Sequence, residues 1–180
     1  MVILIRSYGF LARLIHFGMW IFNIKTKRPT LPTYNHAEIW ISDIVSGAIG
    51  KGISNRSFKN AFINDGKERD ILLYDVCLTE QEAKELKAYT LDKEGTKYEI
   101  SNFLNHARRI LFGTWTGHTK EFSDKKLYCI EYVAKGLNHV FPELIDKPWE
   151  INPVEFKEFM DANFGKPIKL HLPVKVNVES

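Results

Sequence analysis

The chain has 180 residues, of which 44% are hydrophobic, and this length suits a single domain with one sizeable core. Its 25 Lys and Arg residues against 22 Asp and Glu give a formal net charge of only +3, without an arginine-rich stripe, which argues against nucleic acid as a partner. Two cysteines, Cys77 and Cys129, are too few for a disulfide framework and match no zinc-site spacing, so no metal or cofactor is expected.

Residues 1–32 are predicted to form an apolar N-terminal strand and helix. The first 24 residues are apolar enough to suggest a signal peptide or a membrane span. Arg6, Arg13 and His16 interrupt the run, however, and no small-residue cleavage site follows. We therefore expect neither feature and favour synthesis in the cytoplasm, with the final compartment left open.

The N-terminal helix is predicted to carry one polar stripe on an otherwise apolar surface. The stripe follows from spacings of three and four among Arg13, His16, Trp20, Asn23 and Lys27. Such a helix either packs into the core or also contacts a membrane surface or an acyl chain, which makes peripheral membrane contact one expectation.

Residues 33–160 are predicted to form the main body of the domain. Pro29 and Pro32 end the N-terminal helix, and a strand follows in which apolar and polar residues alternate. Its apolar face contains Ala37, Ile39 and Ile41, and its functional face contains His36, Glu38, Trp40 and Ser42. The stretch from Gly47 to Gly52 lacks the spacing of a phosphate-binding loop and is predicted to turn into a short strand near Ile53.

Further elements follow in chain order. Residues 70–78 read as a strand with Cys77 as a small buried thiol, and Thr79 with Glu82 forms a capping-box signature that opens a helix ending near Leu91. Three further helices are predicted, at Ile100–Phe112, from Ser123 or Asp124 with Cys129 in the first turns, and at Pro153–Ala162. A final strand is predicted at Ile168–Val178, within a tail that spans residues 161–180.

Cys129 and His36 are the residues best placed for chemistry. A thiol is a nucleophile as its thiolate, which the N-terminal end of a helix stabilises. On the predicted strand, the side chains of His36 and Glu38 lie on the same side, about 7 Å apart along the chain. Glu38 can then bind one nitrogen of the His36 imidazole while the second imidazole nitrogen faces a thiol. A cysteine packed in the core and a solvated His-Glu pair remain the alternative interpretations.

The motifs around these residues resemble the circularly permuted NlpC-like branch of papain-fold cysteine hydrolases, often called YiiX-like. His36-Ala37-Glu38-Ile39 is similar to the family's histidine strand, and Tyr128-Cys129-Ile130-Glu131 to its cysteine helix start. Further short similarities lie at Leu78–Gln81, Gly95–Glu99 and Asn152-Pro153. Ile130 and Glu99 depart from the family's usual serine and aspartate, without removing a catalytic atom.

The resemblance implies an α+β, papain-like fold with a small antiparallel sheet or half-barrel packed against helices. It implies a hydrolase, of cysteine-peptidase or amidase type, in which Cys129 attacks a carbonyl carbon, His36 transfers the proton and Glu38 orients His36. The backbone amide of Cys129 would bind the oxyanion, with Tyr34 as a further donor or pocket residue. Trp40 and Tyr128 are the remaining candidates for substrate binding.

Three functions stay open at this stage. The first is hydrolysis of an amide in a peptide or an acylated amino compound through a thioacyl-enzyme. The second is a lipid hydrolase or lipid-directed acyltransferase with the same Cys-His site, suggested by the apolar N-terminal helix. The third is a binding protein that has kept the scaffold without turnover.

Overall fold

The computed structural model describes residues 1–7, 10–27, 34–49, 52–64, 67–99, 105, 108–109 and 126–172. Its strands are β1 (Val2–Arg6), β2 (His36–Ile41), β3 (Ile44–Ile49), β4 (Gly52–Arg56), β5 (Arg69–Tyr74), β6 (Lys97–Tyr98), β7 (Lys126–Leu127) and β8 (Ile168–Leu172). Its longer helices are α1 (Phe10–Thr26), α2 (Glu80–Asp92), α3 (Cys129–Val140) and α4 (Pro153–Phe164), and a short π-helical segment covers Lys59–Ile63.

The strands of the described residues form one eight-stranded sheet in the order β7-β6-β4-β3-β2-β1-β5-β8. Neighbouring strands are antiparallel except for the short parallel pair β6 and β7, so the sheet is mixed. The α+β class predicted from the sequence is therefore confirmed, although the sheet is larger than the small antiparallel sheet expected.

The two faces of the sheet are covered differently. The larger core cluster lies between one face and helices α2, α3 and α4, and it includes Ala37 and Ile39 of β2. The other face carries a smaller cluster with Ile3 and Ile5 of β1. Register pairs Ile5 with His36 and Ile3 with Glu38, and directly paired residues share a face. The alternation predicted for β2 is thus confirmed.

The predicted capping box at Thr79 is present, and α4 begins with a second one. The side chain of Asn152 accepts hydrogen bonds from the backbone N–H groups of Val154 and Glu155, and the Glu155 carboxylate accepts from the Asn152 N–H. We expect Asn152→Ala to lower the free energy of unfolding by about 1–2 kcal/mol in urea titrations. Asn152→Ser, which retains an acceptor, is the control and should recover most of that loss.

Helix α1 differs from its predicted pattern. Asn23 is buried, although the spacing rule placed it on a polar stripe, whereas Phe17 and Ile24 are exposed beside Trp20. Arg13, Trp20 and Lys27 of the predicted stripe are exposed, whereas Asn23 is not, because periodicity alone does not show which residues of a stripe meet a neighbouring segment. No helix among the described residues is long and apolar enough to cross a membrane.

Cys77 is exposed, so the prediction of a buried thiol is wrong. Strand β5 ends at Tyr74, and Cys77 lies beyond it with a positive φ of 49°, where its N–H donates to Asp75 Oδ1 at 3.0 Å. The prediction failed because the apolar run continues to Leu78, whereas strand pairing stops at Tyr74.

Other boundaries shift by a few residues. Helix α3 starts at Cys129 itself, later than the predicted start at Ser123 or Asp124, because the short strand β7 precedes it. Gly47 lies inside β3 and not in a turn. The helix predicted at 100–112 falls largely outside the described residues, as do positions 173–178 of the last predicted strand.

Candidate active site

Cys129 is the first residue of α3, and its side chain is buried. The preceding residue, Tyr128, is extended and makes no side-chain cap to the helix. The first N–H groups of a helix have no partner within the helix and carry the positive end of its dipole. A negative charge on the Cys129 sulfur is therefore stabilised by the helix start.

Helix α3 is held on the sheet by polar contacts as well as by its apolar face. The hydroxyl groups of Tyr132 and Ser46 are 2.6 Å apart, joining α3 to β3 in the core. Tyr89 of α2 stacks on Tyr132 at 5.6 Å between ring centroids and donates its hydroxyl to the Tyr132 carbonyl at 3.2 Å. These contacts fix the position of the helix that carries Cys129.

His36 is the first residue of β2 and contacts both Glu38 and Cys129. Its Nε2 lies 3.0 Å from Glu38 Oε1, and its side chain also hydrogen-bonds Cys129. Since Nε2 is engaged by Glu38, Nδ1 is the nitrogen left for the thiol. The backbone N–H of Ala37, the next residue, hydrogen-bonds the Cys129 sulfur as well.

The electrostatics of this pair favour a thiolate beside an imidazolium. Burial alone lowers the pKa of His36, but the Cys129 thiolate and the Glu38 carboxylate outweigh it and raise the pKa to about 10. Burial raises the pKa of Cys129, yet His36 outweighs that effect, assisted by the Ala37 N–H and the Tyr98 hydroxyl, and the pKa is lowered. Both directions point to the ion pair as the resting state.

Glu38 is enclosed by its neighbours in the sheet. Arg56 of β4 donates from Nη2 to Glu38 Oε1 at 2.9 Å, and the Glu38 side chain is 2% exposed. Burial raises the pKa of Glu38, but hydrogen bonds and charge from His36 and Arg56 lower it, so the group is a carboxylate. Gly47 of β3 pairs directly with Glu38, and a Cβ there would lie 2.6 Å from Glu38 Cγ.

Tyr98 is a further hydrogen-bond partner of the thiol. The parallel pairing of β6 and β7 sets Tyr98 opposite Leu127, two residues before Cys129. Charge on Cys129, burial and the hydrogen bond to Cys129 all raise the pKa of Tyr98, so its hydroxyl keeps the proton it donates. The motif Gly95–Glu99 could have identified this tyrosine from the sequence, whereas nothing local indicated Arg56 or Gly47.

The three residues predicted to bind substrate are placed differently. Tyr34 is half-buried and packs against the larger core cluster that contains Cys129. Trp40 packs against Phe58 with its ring tilted by 36° and ring centroids 4.7 Å apart, and it lies four residues along β2 from His36, about 13 Å away. Tyr128 is buried and donates its hydroxyl to the Ile151 carbonyl, so that group holds two segments together.

No three His, Cys, Asp or Glu side chains in the described part of the chain are arranged to hold a metal ion. The site consists of a thiol, an imidazole, a carboxylate, a guanidinium and a phenol. Such a set can attack a carbonyl carbon, transfer a proton and stabilise the negative charge that develops.

Comparison with known proteins shows a likeness of fold. No protein-family model matches the chain, and no curated protein is significantly similar to it. The crystal structure of the metalloprotein yiiX from Escherichia coli O157:H7 superposes with a TM-score of 0.52, covering 96% of this chain and 87% of that one. Sequence identity is 14%, so the likeness concerns the fold alone: the chain has a YiiX-like α+β fold.

Proposed function

We propose that this protein is a cysteine-dependent acyl hydrolase of the permuted, NlpC-like papain type. Cys129 is the nucleophile, His36 is the acid and base, and Glu38 orients His36. The observation that carries the proposal is the chain of hydrogen bonds from Arg56 through Glu38 and His36 to Cys129. A packing cysteine requires no such chain, and a solvated His-Glu pair would not be buried against a thiol.

The polar groups behind His36 also favour a functional role. Glu38 Oε2 is buried and has no hydrogen-bond partner among the described residues. Two donors, from His36 and Arg56, instead converge on Oε1, which fixes the imidazole in one orientation.

The proposed reaction begins from the ion pair. The Cys129 thiolate attacks the carbonyl carbon, and the electron pair of the C=O bond moves to oxygen, where the backbone N–H of Cys129 stabilises it. His36 gives its proton to the leaving nitrogen as the C–N bond breaks, which leaves a thioester. Water then attacks the thioester, His36 takes its proton, and cleavage of the C–S bond restores thiolate and imidazolium. The Tyr98 hydroxyl, which hydrogen-bonds Cys129, is a second donor at the site.

The two cysteines provide the test of the nucleophile. We expect iodoacetamide near neutral pH to label buried Cys129 faster than exposed Cys77, as read by mass spectrometry of digested protein. Cys77→Ala should retain the fast reaction and Cys129→Ala should lose it. Equal rates for the two thiols, or faster reaction of Cys77, would contradict an activated Cys129 and favour a non-catalytic binding protein.

A second candidate function is a lipid-directed acyltransferase or lipid hydrolase with the same residues. The exposed apolar side chains of α1, Phe17, Trp20 and Ile24, favour it. The two candidates are separated by the acyl group trapped on Cys129. Incubation with an N-acyl amino acid or with a phospholipid, followed by acid quenching and intact-mass analysis, is expected to show the thioester with the true donor class only.

A further inference from the structure

Three large apolar side chains lie exposed along one face of α1. Phe17, Trp20 and Ile24 are 59%, 44% and 58% exposed, and Phe17 stacks on Trp20 with ring centroids 5.9 Å apart. At 100° per residue their positions fall within about 60° around the helix axis. Arg13 continues the same face towards the N-terminal end and is also exposed. Met19 and Asn23, which lie roughly 130° and 90° around the axis from the centre of this face, are buried.

The N-terminal part of the chain, which contains α1, has basic side chains and no acidic ones. Residues 1–37 contain five Lys or Arg and no Asp or Glu, whereas residues 38–180 contain 20 Lys or Arg against 22 Asp or Glu. Arg13 lies at one end of the apolar face, and Lys25 and Lys27 are exposed at the other. Aromatic and aliphatic side chains between flanking cations match the boundary between acyl chains and anionic headgroups.

We propose that this face of α1, defined by Arg13, Phe17, Trp20, Ile24 and Lys27, binds the surface of a bilayer that contains anionic phospholipid. The helix lies in the plane of the interface with the apolar side chains among the acyl chains. Lys and Arg at its ends contact phosphate groups. The inference does not depend on turnover at Cys129.

The start of α1 lies near the candidate active site. The N–H of Ser7 donates to Asn35 Oδ1 at 2.9 Å, and Asn35 immediately precedes His36. Helix α1 begins at Phe10, three residues after Ser7, which is at most about 10 Å of chain. The membrane-binding helix therefore starts beside the end of β2 that carries His36.

Co-sedimentation with vesicles tests the proposal. The full chain is expected to bind vesicles of phosphatidylcholine mixed with phosphatidylglycerol, to bind pure phosphatidylcholine more weakly, and to lose affinity as salt is added. The triple variant Phe17→Ala, Trp20→Ala, Ile24→Ala should bind at least about tenfold more weakly. Leu91→Ala, which removes a 50% exposed apolar side chain from α2, is the matched control and should bind like wild type.

Fluorescence identifies the residue that enters the lipid. Anionic vesicles are expected to shift the tryptophan emission to the blue, and Trp20→Phe should remove that shift while retaining binding. Unchanged binding of the triple variant would overturn the proposal. A chain that binds neither vesicle type, but forms a dimer that the triple variant abolishes, would show that a second copy covers this face instead.

Discussion

Replacing His36 with alanine is expected to slow the alkylation of Cys129 by at least about tenfold at about pH 6, with a gap that widens towards acid pH. The imidazolium is the largest influence that lowers the pKa of Cys129, and burial opposes it. Without His36, burial dominates, the pKa rises, and the thiol is protonated in the neutral range.

The pH dependence carries more information than one rate. An ordinary thiol with a pKa of about 8.5 loses thiolate tenfold for each pH unit below that value. The wild-type rate should instead stay nearly level until the lowered pKa of Cys129 is reached. A thiolate of lower pKa is also a weaker nucleophile, so wild type and variant should converge near pH 8 and separate below it.

The rate of turnover should also fall at alkaline pH, where His36 loses its proton. His36 must carry a proton to release the leaving group, and its pKa is raised to about 10. Activity is therefore expected to rise as Cys129 ionises, and to fall as the pH passes about 10. Alkylation needs only the thiolate and should persist there.

Two controls make the His36 comparison specific. His36→Gln keeps a polar side chain in the site but cannot carry the proton, so it should behave like His36→Ala. The rate at exposed Cys77, measured in the same samples, should not change. Identical pH profiles for Cys129 in wild type and in both variants would show that His36 does not ionise the thiol.

Local sequence pattern could predict the residues that share an element. Alternation along β2 indicated that His36 and Glu38 lie on one face, and the structure brings their side chains within 3.0 Å. The capping signature at Thr79 and the period of α3 likewise depend on residues three or four apart. These features follow from backbone geometry within one element.

The rest of the site depends on strand register, which no local pattern specifies. Arg56 reaches Glu38 because β3 lies between β2 and β4 with defined pairing, and Gly47 faces Glu38 for the same reason. Tyr98 reaches Cys129 through the pairing of β6 with β7. A shift of one residue in any of these ladders would turn the side chain to the other face.

Gly47 makes the most specific test of that arrangement. A Cβ at this position would lie 2.6 Å from Glu38 Cγ and 2.9 Å from Glu38 Cδ, closer than van der Waals contact allows. The carboxylate has little room to retreat, because its side chain is 2% exposed and its Oε1 holds both His36 and Arg56. Glycine at this strand position is thus required by a side chain on the neighbouring strand.

Gly47→Ala is therefore expected to lower the free energy of unfolding by about 1–3 kcal/mol, as overpacking in a well-filled interior does. It should also displace Glu38 and hence His36, so that the Cys129 alkylation profile moves towards that of His36→Ala. Urea titration and the pH profile measure the two effects on the same variant. Lost stability with an unchanged Cys129 profile would show that Glu38 does not position His36.

Two comparisons separate this effect from a general loss of stability. Thr79→Ala removes the capping box of α2 and should lower the free energy of unfolding by about 1 kcal/mol, but the hydrogen bonds of Thr79 go to Glu82, so its Cys129 profile should match wild type. On a Glu38→Ala background the clash partner is gone. There Gly47→Ala should be neutral or stabilising, because glycine inside a strand is less stable than alanine by roughly 0.5–1 kcal/mol. The difference between the two backgrounds measures the contact between Gly47 and Glu38 directly.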